Sequence, residues 1–161
     1  MSSYPRKSSN CKKAQSSLEL LITLSFGLIV LLPIVALAFI QMASSTSTLS
    51  TAEAQEAATK LAGIATAVGS QGFPAKQLVL LQIPPNINNI FIGNVVNGVG
   101  HEIIFVVATN AGPSYVTAYT PLNVSGYLQN IVQTGTYLVN VSAQNSCPSL
   151  AGMPCVYIKS T

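Results

Sequence analysis

Few residues of this chain can do chemistry. There is no aspartate or tryptophan, and the acidic residues are Glu19, Glu53, Glu56 and Glu102. Acid–base catalysis by paired carboxylates needs two such groups flanking one bond, and four scattered glutamates offer no pair. The single histidine, His101, sits beside Glu102 in a turn-to-strand context, where a lone imidazole reads as a surface residue. The glycines of GNVVNGVG, residues 93–100, do not lead from a strand into a helix, so they form no phosphate loop. Cys147 and Cys155 bracket CPSLAGMPC, and with one distant histidine they are too few for a structural zinc site. They read as a small disulfide loop if this part of the chain is extracellular, or as two free thiols if it is not, with Cys11 left unpaired. No enzyme, cofactor or metal is expected.

Charge and hydropathy say where the informative residues are. Charged residues are only 7% of the chain, against roughly a quarter in soluble domains. The net charge of +3 is concentrated at one end, because Arg6, Lys7, Lys12 and Lys13 all precede Gln15. After that point three lysines face four glutamates, so the body carries no basic face for nucleic acid. Residues 20–40, LLITLSFGLIVLLPIVALAFI, are long enough to cross a bilayer as a helix of about 20 residues. Basic residues ahead of such a segment keep its N-terminal end in the cytoplasm. Pro33 removes one helical hydrogen bond, which predicts a kink or local loosening, and Gly27 adds a second point of weakness.

Beyond the apolar run, SSTSTLST at residues 44–51 reads equally as a linker or as hydroxyl-rich helix. Ala54, Ala57, Leu61, Ile64 and Val68 then fall at helical spacing, with Glu53, Glu56 and Lys60 off the stripe. Gly69, Gly72 and Pro74 end that helix. From Gln77 onward come QLVLLQI, NIFIG, EIIFVVAT, SYVTAYT, GTYLVNVSA and VYIK, short and rich in Val, Ile, Tyr and Thr, with turn residues between them. In GTYLVNVSA, Tyr137, Val139 and Val141 share a face. The expected fold class is α+β, a long N-terminal helix followed by a small antiparallel sheet. The expected segments are a leader 1–14, irregular and cytoplasmic; an apolar helix 15–43; an amphipathic continuation 44–72; and a β-rich head 73–161.

One carboxylate needs explaining. Glu19 stands at the lip of the apolar run, in KKAQSSLELL, where a plain membrane anchor gains nothing from it. A conventional secretory signal accounts for the basic start and for Ala36-Leu37-Ala38 as a cleavage site, but puts Glu19 inside the apolar boundary. Helix physics accounts for the spacing: Ser16-x-x-Glu19 is a capping box, and a carboxylate in the first turn complements the helix dipole.

The run Lys12-Lys13-Ala14-Gln15-Ser16-Ser17-Leu18-Glu19, followed by the apolar segment, resembles the class III signal of archaeal type IV prepilins. The resemblance covers about ten residues by motif and about thirty with the apolar segment, and the helix-then-sheet order is that of the family. It implies cleavage by a prepilin peptidase between Ala14 and Gln15, with the hydrophobic segment kept on the product. It also implies a role for Glu19, pairing with the terminal amine of a neighbouring subunit during assembly. Ser16 would cap the new helix end.

The resemblance therefore predicts a structural subunit of an archaeal surface filament, a helical homo-oligomer polymerised through its apolar helix and serving adhesion. Its precursor would lie in the cytoplasmic membrane with the N-terminus inside and the head outside. Its partners would be the membrane, the peptidase and the assembly machinery. The rival readings are a non-polymerising surface-binding protein held by one transmembrane helix, and a secreted β-domain released from a cleaved signal. Two sequons, Asn123-Val-Ser125 and Asn140-Val-Ser142, are candidate N-glycosylation sites in the head.

Overall fold

The computed structural model describes residues 10–94, 98–150 and 152–161, with side chains from Ser17 onward. One helix, α1 (Asn10–Gln71), is followed by six strands: β1 (Lys76–Ile83), β2 (Ile87–Gly93), β3 (Gly100–Thr109), β4 (Gly112–Tyr127), β5 (Gly135–Gln144) and β6 (Cys155–Ser160). The chain divides into two compact units, Met1–Ala43 and Ser44–Thr161. The α+β class and all six strand segments agree with the sequence reading.

One expectation about the helix needs correction: it begins at Asn10, inside the leader expected to be irregular through residue 14. Pro33 lies within the helix. Of the two readings open for residues 44–51, the structure takes helix. There Ser47 and Thr48 donate to the carbonyl of Ser44, and Ser50 and Thr51 to those of Thr46 and Ser47, at 2.9–3.1 Å. Returning hydroxyls to carbonyls three or four residues back keeps a Ser/Thr-rich stretch helical.

In the Ser44–Thr161 unit, the helix buries Ala54, Ala57, Ala58, Leu61, Ala62, Ala65 and Val68 against the sheet. The facing side is mostly alanine, so the helix backbone can lie close to the strands. Gly69 continues that logic, since a Cβ there would collide with Leu122 and Val156. Gly72 closes the helix with φ +72°, a conformation that costs a side-chain-bearing residue more, and its N–H donates to the Gly69 carbonyl at 3.1 Å.

The sheet order is β1-β5-β6-β4-β3-β2. It is mixed rather than wholly antiparallel, because β4 and β6 run parallel through Val124–Tyr127 and Val156–Lys159. The two edge strands are consecutive in sequence, with only residues 84–86 between them. That link reaches at most about 14 Å, whereas a flat six-stranded sheet would separate its edges by about 24 Å. The sheet must therefore curl, and the helix stripe lies in its concave side.

Phe105 at the centre is fully buried, paired with Val116 on β4 and Ile90 on β2. Tyr137, Val139 and Val141 point inward as their alternation predicts, Tyr137 half-buried at the rim of the core. The outer face keeps Leu78, Leu80, Leu138, Tyr115 and Tyr119 exposed.

Candidate functional site

The feature that most calls for a function is the first half of α1. Every large apolar residue from Leu18 to Met42 is exposed, and none of its most apolar window, of mean hydropathy 2.8, is buried within the chain. Leu20, Leu21, Ile22 and Leu24 alone spread around the helix, as do Leu28, Ile29, Val30, Leu31 and Leu32. No polar stripe exists to face water. A helix apolar on all sides is stable in a bilayer or inside a bundle of other helices. At about 1.5–3 kcal/mol per fully buried large side chain, covering this surface releases tens of kcal/mol. The helix is long and apolar enough to act as a membrane anchor or signal.

Thr23 fits that setting, since its Oγ1 donates to the carbonyls of Glu19 and Leu20 at 3.1 and 3.0 Å and spares a hydroxyl from apolar surroundings. Glu19 is exposed at the start of the run, and its carboxylate makes no ion pair among the described residues. A carboxylate taken out of water is costly unless a cation meets it.

The backbone of Ala14, Gln15 and Ser16 is helical, while their side chains lie outside the described residues. Since helix starts at Asn10, Ser16 is an interior helical residue in the uncut chain, and a capping role for it requires cleavage ahead of Gln15.

In the head, Cys147 and Cys155 form a disulfide. It closes the β5–β6 connection, where Cys147 N–H donates to the Met153 carbonyl at 2.9 Å and Ser149 Oγ shares a hydrogen bond with Ser125 Oγ at 2.7 Å. His101 is exposed; its Nδ1 lies 3.2 Å from the Thr120 carbonyl and its ring stacks on Tyr119 at 5.9 Å. A carbonyl can only accept, so Nδ1 carries the proton and Nε2 is left as the acceptor while the ring is neutral. No group of three or more metal-ligating side chains occurs among the described residues.

The two sequons differ in setting. Asn140 is half-buried on β5, a central strand, between Leu78 of β1 and Lys159 of β6. Asn123 is half-buried in β4 and lines a cleft of about 320 Å³ at the end of α1. That cleft had no signal in the sequence, because its walls come from five separate stretches of chain.

No family model, curated protein or solved structure matches this chain.

Proposed function

We propose that the chain is a type IV pilin-like subunit of an archaeal surface filament. The observation that carries this reading is the Leu18–Met42 surface, apolar on every side and unburied in the monomer, with one carboxylate at its start. The leader lysines hold the N-terminus in the cytoplasm while the helix occupies the bilayer and the head lies outside. A prepilin peptidase cuts between Ala14 and Gln15, leaving a positive α-amine on Gln15. The helix then leaves lipid for a bundle of identical helices. One apolar setting replaces another, so little hydrophobic energy is lost, and close packing between helices supplies the specificity. Within the bundle Glu19 of one subunit pairs with the Gln15 amine of its neighbour, offsetting the cost of desolvating both. The head coats the filament and meets the surroundings, which supports an adhesive role.

The same helix would equally serve a single-span surface protein that never polymerises, and Glu19 separates the two. Intact mass and N-terminal sequencing should give a mature chain starting at Gln15; a start at Phe39 would identify a conventional signal peptide and end the filament reading. Glu19→Ala should still insert and be cleaved yet assemble no filaments. Normal filaments from that variant would remove Glu19 from assembly.

A further inference from the structure

We propose that the cleft at the C-terminal end of α1 binds a neutral carbohydrate, through a single sugar ring. Its volume of about 320 Å³ sits at the small end of the range of ligand pockets, roughly 300–1,000 Å³. The lining is apolar and aromatic with a few polar groups, and the polar groups are of one kind. Phe73 and Pro121 form apolar walls, while Asn123, Gln144 and Asn145 bring three carboxamides and His101 an imidazole.

No lysine, arginine or glutamate lines the cleft. An ionic ligand would be desolvated there without a counter-charge, so the site selects against phosphates, carboxylates and basic peptides. Phe73 is 61% exposed, so its ring face is open to a ligand at the cleft.

The carboxamides are free to act. Asn89 accepts from the Ile90 N–H at 3.0 Å and Asn130 bonds the Ser160 hydroxyl at 2.9 Å, so those two amides are engaged within the fold. Those of Asn123, Gln144 and Asn145 make no hydrogen bond among the described residues. Each offers two donors and an acceptor, and His101, which also lines the cleft, adds Nε2 as an acceptor on a ring held by Thr120 and Tyr119. Paired donors and acceptors match adjacent hydroxyls on a sugar, and an aromatic ring matches its apolar C–H face. A purely hydrocarbon ligand would strand the carboxamides, and a peptide would need more room.

This assigns Asn123 to ligand contact rather than to glycan attachment. The other half of its sequon, Ser125, is buried and bonded to Ser149.

The biological use of such a site, recognition of a glycan-covered surface, rests on the adhesive reading above. The site itself lies wholly in the Ser44–Thr161 unit, and its binding is measured on unassembled chain whether or not filaments form. The test is saturation-transfer NMR on the full chain in a detergent without a sugar headgroup. Glucose, galactose, mannose and N-acetylglucosamine are titrated separately to about 10 mM, since a ligand of this size should bind with a dissociation constant on the order of 1 mM. At least one should bind, with affinity unchanged by salt, while glucuronate does not. Phe73→Ala and Asn145→Ala each alter an exposed side chain and should weaken binding about tenfold without changing the circular dichroism spectrum. Silence from all four sugars, retained binding in both variants, or a glycan mass on Asn123 filling the cleft would overturn the proposal.

Discussion

From Leu18 to Met42, α1 turns large apolar side chains in every direction, and none is covered. From Ala54 to Val68 the same helix turns alanines and three larger apolar residues, Leu61, Ile64 and Val68, to one side and Glu53, Glu56 and Lys60 to the other. The backbone is identical in the two stretches, so helix propensity cannot account for their different fates. The difference lies in where each stretch finds its partner. The second half has a one-sided stripe of small residues and finds its partner in its own chain, in the curled sheet. The first half has no stripe, and the surroundings that suit it are lipid or other apolar helices.

The sharpest way to break this comparison is to separate the halves. The Ser44–Thr161 unit should be soluble and monomeric without detergent and should unfold in one cooperative transition. The full chain should aggregate in water and need detergent or lipid, because tens of kcal/mol of apolar surface stay uncovered. Sedimentation and thermal circular dichroism decide it; a head that aggregates or stays unfolded would mean that the first half of α1 contributes to its core.

A matched pair of phenylalanines tests the same contrast at the scale of one side chain. Phe105 is fully buried and Phe26 is 70% exposed. Phe105→Ala should cost about 3–5 kcal/mol of head stability in urea titration, the usual loss for a large buried ring. Phe26→Ala should leave that stability unchanged and act only on insertion or assembly. Equal losses at the two positions would erase the distinction between the halves.

Much of this division is readable in the sequence, and the reasons it becomes unreadable are local. Strand positions follow from β-branched runs between turn residues, and the helix stripe follows from its spacing. The pairing of β4 does not. The sequence pattern marks that strand only as SYVTAYT, ending at Thr120 ahead of Pro121. In the structure β4 continues to Tyr127. Its first part pairs with β3 and its last four residues pair with β6, and Pro121 falls at the register shift, where Tyr119 and Val124 oppose Glu102 and Gly100. A proline in a bulge is tolerated, so the strand survives with a changed partner. The parallel β4–β6 pairing depends on contacts more than thirty residues apart in sequence, which no local pattern carries. The proposed processing motif behaves oppositely. Ala14, Gln15 and Glu19 are legible in a ten-residue window, and the significance proposed for them rests on chemistry that follows translation rather than on packing. The carbohydrate cleft is illegible because Phe73, His101, Asn123 and Asn145 meet only when the sheet curls.

The disulfide should contribute less than Phe105. It closes a loop of sequence separation 8, for which chain-entropy arguments give about 2.5 kcal/mol. Cys147→Ser with Cys155→Ser should lower the unfolding free energy of the head by that amount in urea titration and leave the behaviour of the first half of α1 unchanged. A loss as large as that from Phe105→Ala would mean that the β5–β6 loop, and not the alanine stripe, holds the head together.

The smallest effect concerns how the second half of α1 uses its polar side. Leu138 turns its carbonyl toward β6, where Thr161 N–H donates to it at 3.0 Å. Its cross-strand partner Leu80 therefore turns its own carbonyl to the free edge of β1. Lys60 reaches from the helix and donates to that carbonyl at 3.2 Å. An open strand edge invites pairing with another chain, and a lysine placed on it blocks the approach. The bond is solvent-exposed, so Lys60→Ala should cost only about 0.5 kcal/mol in urea titration. Its larger consequence should be a concentration-dependent dimer of the head in sedimentation, formed through β1. A stability loss above about 2 kcal/mol would mean that the polar side of the helix is as structural as its alanine side. A strictly monomeric Lys60→Ala head would show instead that β1 is protected by the curl of the sheet alone.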